Sequence, residues 1–343
     1  MYKYIFNSTT NNIMLLVILA LLPGIFIQSY YFGYSAIIQI LISIIVSICT
    51  ECCYLYLSGF RFFDGMNDYS TILSSILFGL CLPMFTPWWI IVIGSIGMII
   101  LGKQLYGGLG QNIYNPAMVG YIIVLVSFPS WMTNWSLFQL PLVHDVSFFD
   151  SCRLIFSHDN SIYNGLLNIN NSIVTQATPL NYLKLTKDLS QELLFSTMYD
   201  RNNMYIQSGF FWINVGFLLG GVFLLVCRII CWRISISFLL VLWFLSFFGS
   251  LFLPGMILPP SISLFSGATM LGAFFILTDP VTSSTTPLGK IIFGVVIGFF
   301  LWIIRSFGNY PDAIGFSVLL GNSLVPLLDV YTRPKIYGYD KKI

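Results

Sequence analysis

Long apolar runs separated by short polar punctuation make up most of this chain. Ten tracts, at about 13–32, 34–50, 69–84, 88–102, 115–133, 209–227, 235–253, 262–278, 289–305 and 314–330, are apolar enough to be bilayer spans. A hydrocarbon core of about 30 Å takes roughly 20 such residues per helix, so several of these runs are short. The tracts on either side of Met84–Pro87 give the weakest signal. Leu, Ile, Phe and Gly follow no alternation of period two, unlike the segments of a membrane barrel. The pattern predicts an all-α integral membrane protein of about ten transmembrane helices.

One stretch breaks the rule. Residues 134–208 gather Asp145, Asp150, Arg153, Asp159, Asp188, Glu192, Asp200 and Arg201. The chain therefore divides into a first five-helix half (1–133), a long loop (134–208), and a second five-helix half with a tail (209–343). A loop of that length usually carries function.

Composition excludes whole classes. The 343 residues are 57% hydrophobic and only 8% charged, against roughly 25% charged in an ordinary soluble domain. Disorder needs the opposite balance. A nucleic-acid binder needs a basic face, and no cluster here exceeds the four Lys/Arg of Arg333–Lys342. Charge placement also orients the chain. With both termini in the cytoplasm, Lys3, Arg61, Lys103, Arg228, Arg233, Lys290, Arg333, Lys335, Lys341 and Lys342 fall inside, and only Arg305 falls in a short outer loop. The long loop is then periplasmic if the membrane is a bacterial inner membrane. The first apolar run has no small-residue cleavage site after it and reads as a retained helix.

Cys49, Cys52 and Cys53 suggest a metal or iron–sulfur site, but no second pair or nearby His completes it, and small hydrophobes in helix packing is the plainer reading. His144 and His158, the only histidines, read as surface residues, and nothing supports a hydrolase. Trp88, Trp89, Trp131 and Trp135 stand at span ends as interface anchors.

The two halves echo one another. In each, a Gly-bearing helix and a turn precede a second Gly-bearing helix that ends in a basic residue, a Gly-rich break and an Asn/Tyr/Pro cluster. Lys103…Asn115-Pro116 answers Arg305…Asn309-Tyr310-Pro311. Five spans per half would invert the halves, and inverted repeats with paired interruptions point to a site between broken helices. Gly107–Asn112 is no phosphate loop, since no Gly-Lys-Ser/Thr follows; it reads as an unwound helix end facing a cavity.

The segments YGGLGQNIYNPAMVGY (106–121), SLFSGATMLGAFFILTDPVTSSTTPLGK (263–290) and IRSFGNYPDAIGFSVLLGNSLVPLLDVYTRPKIYG (304–338) are the most specific. Together they resemble the D subunits of the Rnf (Rsx) ion-translocating electron transport complexes, with the B subunits of the sodium-pumping NADH:quinone reductases a more distant likeness. The resemblance implies a ten-helix protein with FMN joined through its phosphate to a Thr, among other membrane, flavin and iron–sulfur subunits, passing electrons coupled to Na⁺ or H⁺ movement.

Two threonines compete for that flavin. The family pattern is Asp-x-x-Ser/Thr-Gly-Ala-Thr. Ser172–Thr178 matches it loosely, with Ser172 and Gln176 departing, while Ser266-Gly267-Ala268-Thr269 matches the core letters better. Topology favours Thr178, because the flavin transferase of such systems works outside the membrane and Thr269 lies within a span. A phosphate there would be costly, of order several kcal/mol unless paired. Thr178-Pro179 also reads as a helix N-cap, where a phosphate would meet free N–H groups, with Lys184 and Lys187 as counter-charge. A second, non-covalent flavin is a further expectation from the reductase relative. Asp279 and Asp312 are candidates for an ion or proton relay, with Asp329, Asp64 and Asp68 less so. A secondary transporter or channel would share the inverted, broken helices, and a structural anchor for redox subunits would carry no chromophore.

Overall fold

The computed structural model describes residues 10–59, 69–133, 135, 147–157, 201–252, 257–308, 310 and 312–334, with backbone alone at 201–208. The described residues are helical: α1 Thr10–Phe32, α2 Tyr34–Leu57, α3 Ser70–Leu80, α4 Trp88–Gly102, α5 Pro116–Ser127, α6 Pro129–Met132, α7 Phe148–Phe156, α8 Arg201–Val226, α9 Trp232–Phe252, α10 Pro260–Phe265, α11 Thr269–Leu271, α12 Pro287–Phe307 and α13 Ile314–Tyr331. Seven of the described helices are long and apolar enough to cross a membrane. The third, fifth and eighth apolar tracts fall short of that length: α3 and α5 are short helices, and the eighth is broken into α10, α11 and a π-helical turn at Gly272–Ile276.

Local chemistry sets several starts. Asn115 accepts the Met118 N–H (3.4 Å) with Pro116 at the first helical position, and Thr286 accepts the Gly289 N–H (3.0 Å) with Pro287 in the same place. After α4 a 3₁₀ turn, Gln104–Tyr106, leads into Gly107, Gly108 and Gly110, all at positive φ, where the chain doubles back.

Helices α2, α3, α4 and α5 pack on one another, as do α9, α10, α12 and α13, and the two groups meet where α1 packs on α8 and α5 on α13. The α1–α8 crossing needs bare backbone. A Cβ on Gly216 would lie 3.0 Å from the Gly24 Cα, and one on Gly220 would collide with the Ala20 carbonyl. Phe78, Phe238 and Phe293 are fully buried, whereas Phe26, Leu41, Ile45, Trp243 and Phe247 are exposed, as expected of a surface solvated by lipid.

Side-chain amides close the breaks. Gln28 donates to the Leu80 carbonyl (3.2 Å) and Gln39 to the Pro83 carbonyl (2.6 Å) at the end of α3. Asn214 of α8 donates to the Phe265 and Gly267 carbonyls (3.1 and 3.0 Å) and accepts the Met270 N–H (3.1 Å), so it holds both sides of the α10–α11 gap. Irregular backbone at membrane depth is tolerated only when its polar groups are satisfied in this way.

Candidate functional site: two buried ion pairs and two cavities

At the end of α4, Lys103 Nζ lies 2.7 Å from Glu51 Oε1 of α2, with both side chains almost completely buried. Lys103 also donates to Ser70 Oγ (2.8 Å) and Thr71 Oγ1 (2.9 Å) at the start of α3. Gln104 donates to Glu51 Oε1 (2.9 Å), and Thr71 donates to its other oxygen. A buried pair survives only with such full hydrogen bonding, because desolvation costs several kcal/mol per ion.

The second centre is also built on a buried cation, although the Arg305 Nε has no hydrogen-bond partner among the described residues. Arg305, near the end of α12, reaches Asp312 Oδ1 (3.0 Å) through Nη2, and its Nη1 donates to the Ser263 carbonyl and to Thr269 Oγ1 (both 3.0 Å). Asp312 Oδ2 accepts the Ala268 N–H (2.8 Å). Gly267 sits at φ +59°, and a Cβ there would strike Asp312. In both centres, then, a cation at or near the C-terminal end of a longer helix holds a threonine in the first turn of a short one.

Each centre borders a cavity. The larger, about 360 Å³, has apolar walls from Leu73, Ile230 and Phe274, and reaches Lys103, Asn115 and Asp279. The smaller, about 70 Å³, is lined by Phe32, Tyr121, Trp135, Phe210 and Asp312.

These positions sort the candidates from sequence. Thr269 is fully buried, its hydroxyl donating to the Ser266 carbonyl (2.8 Å) and accepting from Arg305, so it belongs to the helix break. Asp312 joins Thr269 through Arg305. Asp279 is separate: half-buried in the loop beyond the π turn, it accepts the Val281 N–H (3.3 Å) and the Thr282 hydroxyl (3.1 Å). Burial pushes its carboxyl above the ordinary carboxylate range, and those two donors pull the other way. Asp329 accepts from the Thr285 N–H (3.1 Å), the Thr285 hydroxyl (2.9 Å) and the Ser284 hydroxyl, tying the end of α13 to the 282–286 loop. Thr178, Ser172, Lys184, Lys187, Asp64, Asp68, His144 and His158 lie outside the described residues. Cys49 and Cys53 are exposed and Cys52 partly so, and among the described residues no three His, Cys, Asp or Glu side chains converge. Glu51 is the residue that sequence reasoning missed. Its one signal is a lone carboxylate on an apolar helix, within CTECC.

Comparison with known proteins decides the lineage. Residues 5–338 match the NQR2, RnfD, RnfE family.

The chain belongs to this family.

Among its relatives, the D subunit of the ion-translocating oxidoreductase complex from Erwinia tasmaniensis is 45% identical, covering 98% of this chain and 96% of the relative. Proteins of the same name from Yersinia enterocolitica (46%; 98% and 96% covered) and Buchnera aphidicola (44%; 95% of each) are similar to the same extent. The segments that carried the family resemblance in sequence are those that build the breaks: 106–121 holds the glycine bend and the Asn115 cap, 263–290 holds the α10–α11 gap and the Asp279 loop, and 304–338 holds Arg305 and Asp312.

Proposed function

We propose that this protein is the membrane-embedded D subunit of an ion-translocating oxidoreductase complex, carrying FMN linked through its phosphate to Thr178 on the periplasmic side of a bacterial inner membrane. The observation that carries the reading is similarity over almost the whole chain to proteins of that name. When bound, FMN supplies an acceptor and donor of electrons, and the protein's share is to hold it and set its surroundings.

The choice of Thr178 over Thr269 draws support from the second ion pair. Phosphorylating Thr269 would take its hydroxyl from the Ser266 carbonyl and force a bulky anion into a fully buried site already filled by Arg305 and Asp312. Thr269 does not fit the group. The larger cavity is the place for a non-covalent flavin in this reading, since its volume of about 360 Å³ falls within the roughly 300–1,000 Å³ of small-molecule sites. Leu73, Ile230 and Phe274 would bear on its apolar face.

Coupling to Na⁺ or H⁺ would use the two breaks. Asp279 borders the larger cavity and Asp312 the smaller, so the two acids serve different chambers. Matched packing of α2–α4 with α9–α12, and of α4–α5 with α12–α13, supports the inverted five-helix repeat. Other membrane, flavin and iron–sulfur subunits would complete the electron path. The test uses inverted membrane vesicles from cells carrying the whole complex: electron-donor-dependent ion uptake should vanish when this chain is deleted and return with the wild-type chain. Uptake unaffected by deletion contradicts the reading and leaves the secondary transporter or the cofactor-free anchor.

A further inference from the structure

Helix α7 belongs to neither ion pair nor cavity, and its surface divides three ways. At about 100° per residue, Ser151, Leu154 and Ile155 share one face, and all three are buried where α7 packs on α2. Phe148, Phe149 and Phe156 occupy the adjoining sector with Cys152, and the three rings are exposed, Phe149 by 76%. Asp150, Arg153 and Ser157 form a narrow polar stripe on the remaining side. Ser147 caps the start by accepting the Asp150 N–H (3.2 Å), so the helix has its own start signal.

Neighbours say what lies against the exposed rings. The Phe148 ring is 5.9 Å from Tyr34, the first residue of α2, and the Phe156 ring stacks at 6.5 Å on Trp88, the first residue of α4. Tyr34 and Trp88 are themselves exposed and stand at the ends of spanning helices, where aromatic side chains mark the membrane–water boundary. The exposed face of α7 is thus continuous with the lipid-facing surface of the bundle, at the depth where headgroups begin. A short helix with a core face, an aromatic face and a charged stripe is the pattern of a segment lying in the interface.

We propose that α7 lies in the plane of the membrane surface with Phe148, Phe149 and Phe156 inserted among the lipids, and Asp150 and Arg153 turned to water. Three rings in the acyl–headgroup boundary would fix the depth of this end of the bundle. The inference does not depend on the flavin or on ion coupling.

The test places a nitroxide at residue 149, 156 or 153, one at a time (Phe149→Cys, Phe156→Cys, Arg153→Cys), in the full chain with its seven native cysteines replaced by Ser or Ala. The chain is reconstituted in nanodiscs of phosphatidylethanolamine and phosphatidylglycerol. At 149 and 156 relaxation by oxygen should exceed that by a water-soluble nickel chelate, and at 153 the order should reverse. Equal, nickel-dominated relaxation at all three would put α7 in water and overturn the proposal. Protection of 149 and 156 from both relaxers would overturn it too, by showing protein cover. Hydroxyl-radical footprinting of the unmodified chain in the same nanodiscs is the second measurement, free of cysteine replacement: Phe149 and Phe156 should stay unoxidised, and their oxidation would contradict the placement.

Discussion

Taking Lys103 or Glu51 out of water alone would leave a naked charge in the bundle, and taking both leaves a pair bound to Ser70, Thr71 and Gln104. Breaking such a pair from one side costs about 3–5 kcal/mol, while replacing both partners is far cheaper. Lys103→Met should therefore lower the melting temperature of the purified chain sharply, and Lys103→Met with Glu51→Gln should recover most of the loss; thermal unfolding in nanodiscs checks this, and a double variant no better than the single would show that the pair is not the source. Asp312 is about one-fifth exposed but its partner Arg305 is almost completely buried, so Asp312→Asn should also destabilise, by leaving a buried cation against the Ser263 carbonyl and the Thr269 hydroxyl. Glu51 was hard to see in the sequence because it hides in an apolar helix among three cysteines, and its partner is 52 residues away. Ser266-Gly267-Ala268-Thr269 has the core letters of a flavin motif, and in the structure Gly267 makes room for Asp312 and Thr269 meets Arg305.

At the scale of elements, the apolar runs told where helices stand, and the Gly-rich stretch from Gly107 told where one of them ends. What the runs could not tell was length at membrane depth. An apolar tract reads the same whether it spans or breaks halfway, and the backbone of the α10–α11 gap is satisfied from far along the chain, by Asn214, 51 residues upstream of Phe265, and by Asp312. Asn214→Leu leaves two carbonyls and the Met270 N–H without that partner, at about 1–3 kcal/mol for each buried group. Amide hydrogen exchange over 266–272 should then quicken, while exchange in α4 stays unchanged. The α1–α8 crossing gives a steric counterpart. Gly220→Ala should destabilise by about 1–3 kcal/mol through overpacking against the Ala20 carbonyl. Gly97→Ala should cost less, since its new methyl meets only the tip of Ile123.

For the whole molecule, Lys103 and Arg305, paired in the sequence reading, each bind a threonine hydroxyl in a buried ion-pair centre. Each centre holds a short helix beside its own cavity, one bordered by Asp279 and the other by Asp312. Under the proposed coupling, two chambers with separate acids would suit alternating ion access better than one continuous pore, which would need the acids in line. The redox half of the proposal rests on Thr178, and it is tested most directly by flavin fluorescence of the chain on a denaturing gel after co-expression with a flavin transferase. Wild type and Thr269→Ala should both fluoresce and Thr178→Ala should be dark. A bright Thr178→Ala band, or a dark wild-type band with the transferase active on a control substrate, would contradict the account.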